Sequence, residues 1–367
     1  MYNEKNLAGI ARRENNNKRS YLVVNKLQGK HIPVKPDDAL TMYQTLAEKI
    51  KESYHGEKLL LIGFAETATA IGAAIAVYLD CYYMQTTRED LGDVNYLYFS
   101  ESHSHATEQK LVKEDVDQVI HSVDRIVFIE DEVTTGNTIL KIVKILKGLY
   151  QDTVSYAVAS ILNGMEEDAL KRYDTHGIGM HYLVKTNHSE YGEAAEKYKG
   201  DGRSHKIMSE GDGVYIDQFA CDSYTNPRRL SKANEMQQLC GELWNQIKDR
   251  YLFLPKQKIL VLGTEEFMYP PLFVASQMEK CGCDVRFHAT TRSPITVSSE
   301  NEYPLHERHE LKSFYDENRV TYIYELKKYD KVFIITDGTK NGLCKDSLLL
   351  ALKEKGNDDI NLIRWSV

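Results

Sequence analysis

Short continuous apolar runs alternate with longer stretches in which apolar residues return every three or four positions, through both halves of the chain. LLLIGF (59–64), CYYMQTT (81–87), RIVFIED (125–131), VSYAVASIL (154–162) and MHYLVK (180–185) have the length and β-branched or aromatic content of buried strands. DDALTMYQTLAEKIKES (37–53), ATAIGAAIAVYL (68–79) and NTILKIVKILKGLY (137–150) carry the helical period. After residue 230 the same alternation returns, with helices over 231–251, 271–282 and 345–356 and strands over 258–263, 284–291 and 332–337. Strands alternating with helices predict an α/β fold, two doubly wound domains with mostly parallel sheets. The polar, weakly periodic stretch 187–205 separates the halves, which places a boundary near Gly200 and gives domains 1–200 and 201–367.

The halves also resemble each other. LLLIGFAET (59–67) matches ILVLGTEEF (259–267), QTTRED (85–90) matches ATTRSP (289–294), and IVFIEDEVTTGNT (126–138) matches VFIITDGTKNG (332–342), in the same order. Three matches in register predict an internal duplication.

Composition narrows the function classes. A chain of 367 residues with 42% hydrophobic and 27% charged residues has the balance of a soluble globular protein. Its net charge of −8 argues against nucleic acid as a partner, because non-specific binding there rests on Lys and Arg contacts to phosphate. Nothing approaches the apolar length of a membrane span or a secretion signal, so a cytoplasmic protein is expected. The six cysteines form no C-x-x-C pair, and Cys281 and Cys283 stand in a turn, which predicts reduced thiols.

The chemistry concentrates at VFIEDEVTTGNTIL (127–140). The strand Ile126–Ile129 ends at the acidic pair Glu130–Asp131, in the place where open α/β sheets bind ligands. Val133, Thr134, Thr135, Gly136, Asn137 and Thr138 then lead into a helix. Backbone amides at such a turn, with hydroxyls beside them, suit an anion. Two adjacent carboxylates before the turn suit a vicinal diol, so a sugar ring carrying a phosphate fits the spacing.

Ile126–Thr138 resembles the phosphoribosyl-pyrophosphate (PRPP) motif of type I phosphoribosyltransferases: apolar strand, two acids, then Thr-Thr-Gly-x-Thr. Glu132 departs from it, standing where that family usually has an aliphatic residue. Most of the chain resembles the orotate-phosphoribosyltransferase-related family that carries a C-terminal domain named for its Thr-Arg-Ser-Pro motif (TRSP), here Thr291, Arg292, Ser293 and Pro294. That family is associated with bacterial tellurite-resistance and stress-response gene clusters and with synthesis of a nucleoside-like metabolite. The resemblance implies PRPP and an orotate-like base as substrates, Mg²⁺ as cofactor with Asp131 as candidate ligand, and a possible homodimer.

The resemblance also distributes roles. Ala65, Glu66, Thr67, Ala68 and Thr69 become the pyrophosphate loop, and Arg88 a contact to pyrophosphate. His103 and His105 take the place of a catalytic hood that closes over PRPP, with Glu130 and Asp131 as catalytic acids on the ribose. Lys26, Lys30 and His31, around an N-terminal strand–turn, become candidates for holding the acceptor base. In the second half, Glu266, Thr291, Arg292 and Ser293 keep loop chemistry at strand ends. There a second ligand site, a contribution to the acceptor pocket and a structural lid remain open. The reading is a phosphoribosyltransferase. The alternative is a PRPP- or nucleotide-sensing regulator without turnover, which Glu132 and the lack of a hood lysine favour.

Overall fold

The computed structural model describes residues 2–14, 19–99, 109–207 and 216–366. It divides into two compact units. The first is built mainly from Thr41–Thr186 with Asn226–Gln238, and the second from Lys5–Leu40, Asn187–Thr225 and Leu239–Val367.

The first unit holds a six-stranded sheet in the order Ser231–Lys232, Tyr82–Gln85, Leu59–Gly63, Arg125–Val133, Ser155–Asn163, Ile178–Lys185. All neighbours are parallel except the short edge strand Ser231–Lys232, which runs antiparallel to Tyr82–Gln85. The central strands are unbroken apolar runs because both faces are covered: every residue of Leu59–Gly63 is buried. Asp115 fixes the returning segment. Its carboxylate accepts from Arg229 Nε and Nη2, both at 2.7 Å, and from the Leu230 amide at 2.8 Å.

In the second unit five parallel strands run in the order Asp217–Cys221, Ile360–Trp365, Lys331–Thr336, Lys258–Gly263, Asp284–Ala289. The pieces that match in sequence also match in topology. Strands 82–85, 59–63, 125–133 and 155–163 have the same side-by-side order as 284–289, 258–263, 331–336 and 360–365. In each unit an antiparallel pair follows the edge member of this set: Tyr96–Tyr98 with Lys110–Val112 in the first, Glu307–Lys312 with Val320–Tyr324 in the second. This is the arrangement that an internal duplication produces.

The units do not follow the expected boundary near Gly200. The N-terminal hairpin, Ala8–Arg12 with Tyr21–Asn25, belongs to the second unit. Val34 bridges Phe287 there, Arg13 bridges Ile295, and the Arg12 amide donates to Tyr303 Oη at 2.9 Å. Gly29 adopts φ +81°, and an added Cβ would sit 2.5 Å from the Phe287 ring. The stretch 187–205 is not merely a connector, since it contributes helix Tyr191–Glu196 and strand Arg203–His205. Local periodicity does not register such long-range docking. Among the described residues no helix is long and apolar enough to cross a membrane. The six cysteines are unpaired, and Cys221, Cys240, Cys283 and Cys344 are buried.

Candidate functional site

The acidic cluster lies within a strand rather than after one. Pairing with Ser155–Asn163 carries Arg125–Val133 past the apolar run, with Glu130 opposite Ser160, Glu132 opposite Leu162 and Val133 opposite Asn163. Alternation then separates the acids. Glu130 and Glu132 line a pocket of about 90 Å³ together with Val133, Thr134, Thr135, Gly136, Asn137 and Thr138. Asp131 does not line it, and its Oδ1 accepts from Thr67 Oγ1 at 2.7 Å. Glu130 therefore faces the turn 133–138, while Asp131 is bonded to the loop 65–69.

Gly136 makes the turn. It caps helix Asn137–Tyr150 at φ +69°, and its carbonyl accepts from Tyr173 Oη at 2.8 Å. Thr135, Asn137 and Thr138 are exposed, so their polar groups face solvent at the helix start.

The loop Ala65–Thr69 follows strand Leu59–Gly63, and its last residue opens helix Thr69–Leu79. A cis peptide joins Ala65 to Glu66. Two residues from elsewhere hold this loop: the Ala65 amide donates to Thr86 Oγ1 at 2.8 Å, and Gln109 Nε2 donates to the Ala65 carbonyl at 2.8 Å. Arg88 follows Thr86 and Thr87 at the end of strand Tyr82–Gln85.

Electrostatics tie these pieces together. Burial is the main cause that holds the half-buried Glu130 carboxyl well above the usual carboxylate range. The charges of Asp131 and Glu132 add to it, and the Arg88 guanidinium opposes them. Tyr43 and Tyr173 are pushed upward too, first by burial and then by Asp131 and Glu130 respectively. Neither tyrosine was among the sequence candidates. Each sits in an amphipathic helix and looks there like an ordinary core residue.

A stability measurement follows from Glu130. Because its carboxyl is raised in the folded state, folding takes up a proton. The group therefore contributes stability in acid, and that contribution is lost as pH rises through the raised value. Glu130→Gln is expected to melt higher than wild type at about pH 8, with the gap closing near the ordinary glutamate value of about 4.3. Parallel melting curves from acid to alkaline pH would contradict this account.

The remaining candidates fall elsewhere. His103 and His105 lie outside the described residues; the strand pair Tyr96–Tyr98 and Lys110–Val112 flanks their segment. Lys26, Lys30 and His31 belong to the second unit. Lys30 is fully buried, and its ammonium donates to the Glu265 carbonyl at 2.5 Å and the Thr290 carbonyl at 2.8 Å. Lys26 Nζ donates to the Lys5 carbonyl, and the His31 ring packs edge-on to Tyr324. These side chains have internal partners within the second unit.

In the second unit Arg292 pairs with buried Glu265, Nε to Oε2 at 2.6 Å. Thr291 and Glu266 are buried, and the Ser293 carbonyl accepts from Tyr324 Oη at 2.8 Å. Asp337, the counterpart of the acidic pair, accepts from Tyr315 Oη at 2.6 Å and Tyr224 Oη at 3.0 Å. The Thr-Arg-Ser-Pro segment thus has polar partners, Glu265 and Tyr324, within its own unit.

Known families match both parts of the chain. Residues 7–189 match a family described as phosphoribosyl transferase, and residues 228–352 match the TRSP domain described as C-terminal to it. No curated protein matches the chain. Similar solved structures include adenine phosphoribosyltransferase from Rhodothermus marinus, at 14% identity and TM-score 0.35, covering 50% of this chain and 96% of that one. The adenine phosphoribosyl transferase from Trypanosoma brucei, in complex with AMP, pyrophosphate and ribose-5-phosphate, is 16% identical at TM-score 0.33 over 49% and 76% of the two chains. Orotate phosphoribosyltransferase from Aeropyrum pernix is 15% identical at TM-score 0.29 over 44% and 78%. Likeness at these scores says nothing about the base.

Proposed function

From the premise of a phosphoribosyl transferase region followed by a TRSP domain, we propose that the protein transfers ribose 5-phosphate from PRPP to a ring nitrogen of an orotate-like base. The bond from C1 of the ribose to the pyrophosphate oxygen breaks, the C1–N bond forms, the nitrogen gives up its proton and pyrophosphate leaves. The observation that carries the reading is convergence within one compact unit. The turn 133–138 offers amides and hydroxyls to a phosphate, the Thr67–Asp131 bond joins it to the loop 65–69, and Arg88 acts on Glu130. Preorganised donors and positioning are what an early-breaking glycosidic bond requires.

In this reading the backbone of Thr134–Thr138 holds the 5′-phosphate, Asp131 and Glu130 hold the ribose hydroxyls, and Arg88 neutralises pyrophosphate. Mg²⁺ fits the donor set, because the charges of Asp131 and Glu132 add to the burial that raises Glu130, and a hard cation relieves that part of the repulsion. Asp131 would hold it, and it would supply charge neutralisation of the leaving group. A cytoplasmic location and a homodimer belong to the same proposal.

Glu132 favours the second reading, a PRPP sensor, since it adds a negative charge to the pocket wall. Pyrophosphate release from PRPP and Mg²⁺ with a panel of bases, orotate first, separates the two. Base-dependent release is expected, with Asp131→Asn lower in kcat/KM by about 10²-fold or more, the scale of losing one positioned polar group. PRPP binding with no release for any base sinks the enzyme reading in favour of sensing. Release without a base makes the protein a hydrolase.

A further inference from the structure

We infer that the second unit binds a divalent transition-metal ion through His205, His309 and Glu354. Their ligand atoms lie within 4.8 Å of one another. The fold brings them together from three elements. His205 ends strand Arg203–His205, His309 is its direct partner on strand Glu307–Lys312, and Glu354 closes helix Leu343–Glu354. His205 Nδ1 is 3.0 Å from Glu354 Oε1, and His309 Nδ1 is 3.7 Å from Glu354 Oε2. Ligands about 2.0–2.1 Å from a tetrahedral Zn²⁺ stand roughly 3.4 Å apart, so both spacings are close to the edges of one coordination sphere.

The surroundings are also those of a metal site. His205 Nε2 is 2.8 Å from Glu307 Oε1, and Glu307 is gripped in turn by Lys355 and Arg203. A carboxylate on the far nitrogen of an imidazole is the usual outer partner of a metal-bound histidine, since it fixes the tautomer and raises ligand basicity. His309 is buried, and burial, with the neighbouring His205, lowers its pKa to about 4, so it is a neutral ligand at neutral pH. His205 and Glu354 keep side-chain exposures of 27% and 36%, which gives an ion a path from solvent and leaves room for water as a further ligand.

The two rings are stacked, with centroids 4.3 Å apart and planes 13° from parallel. One ion meets both in-plane lone pairs only after the His309 ring turns, because His205 is held at both nitrogens by Glu307 and Glu354. Two imidazoles and one carboxylate suit Zn²⁺, Co²⁺ or Ni²⁺ far better than Mg²⁺, which prefers oxygen. The ion would tie strand Arg203–His205 and helix Leu343–Glu354 to the strand between them. This site is independent of the proposed transferase chemistry.

The test uses the full-length chain stripped with chelator, then titrated with Zn²⁺ by calorimetry and with Co²⁺ by visible absorption. One equivalent is expected to bind and to raise the melting temperature. Glu354→Gln, a substitution at a part-exposed position, is expected to weaken binding by about 10- to 100-fold. His309→Gln is expected to do the same, and both variants should gain less melting temperature than wild type at the same Zn²⁺ concentration. No binding by wild type, or equal binding by both variants, overturns the proposal. Binding that is lost on thiol alkylation and kept in both variants assigns the metal to cysteine and overturns it equally.

Discussion

Gly136→Ala is expected to abolish measurable PRPP binding and to destabilise the first unit by about 1–3 kcal/mol, the range for a residue held in a sparsely populated backbone region. Two independent effects act at this position. The φ of +69° disfavours any side chain. The added Cβ would also stand 2.6 Å from Tyr173 Cζ and closer still to its hydroxyl. Tyr173 cannot step aside easily, because it is buried in helix Glu167–Thr175 and tethered by its hydrogen bond to the Gly136 carbonyl. The turn must therefore open, and its amides then no longer converge on a phosphate. Tyr173→Phe is the control. It removes one hydrogen bond, worth about 1 kcal/mol, and leaves the turn in place, so it keeps most of the PRPP affinity. Calorimetric titration of PRPP into both variants, with thermal melts alongside, measures the two effects. Wild-type affinity in Gly136→Ala would remove the turn from the site.

The strands and helices were legible because their signals are local. Leu59–Gly63 and Arg125–Val133 are apolar runs whose burial on both faces follows from a covered parallel sheet. The turn at Gly136 was legible for the same reason: threonines, a glycine and a helical stripe stand in consecutive positions. Three things were not. The length of strand Arg125–Val133 depends on pairing with Ser155–Asn163, and that pairing alone carries an acidic triplet into the sheet and splits Asp131 from Glu130. The affiliation of the N-terminal hairpin depends on contacts more than two hundred residues distant, such as Lys30 to Glu265 and Thr290. A lysine beside a Gly turn reads as a surface cation, and only the tertiary structure shows its ammonium capping two buried carbonyls. His205 and His309 are separated by a hundred residues in sequence and have no motif, yet they are paired across two strands.

The duplication explains part of the second unit's character. The strand order is kept, while the acids and hydroxyls at the strand ends have turned inward. In the first unit Thr67 and Asp131 bond beside an open pocket. In the second, Glu265 receives Arg292 Nε at 2.6 Å and Arg319 Nη1 at 2.8 Å on one oxygen and Ser313 Oγ at 2.5 Å on the other. A Thr-Arg-Ser-Pro segment conscripted into such a network serves its own fold first, which favours the structural reading of that segment over an open ligand site.

Glu265→Ala therefore has the largest stability effect expected in the chain, about 3–5 kcal/mol, the cost of leaving buried charges without their counter-ion. Glu265 is 1% exposed, and Arg292 and Arg319 are 10% and 16% exposed, so solvent cannot replace the lost carboxylate. An exposed pair such as Lys171–Asp168, at 73% and 93%, is the opposite case and contributes next to nothing. Glu265→Gln keeps one acceptor oxygen for the two arginines but loses the charge, and should fall between wild type and alanine. The measurement has a built-in reporter: both tryptophans of the chain, Trp244 and Trp365, lie in the second unit and are buried. The tryptophan-fluorescence transition is expected to drop by about 10 °C in Glu265→Ala, at roughly 2–4 °C per kcal/mol for a unit of this size. An unshifted transition would mean that the two arginines find other anions, and the network would then not depend on Glu265.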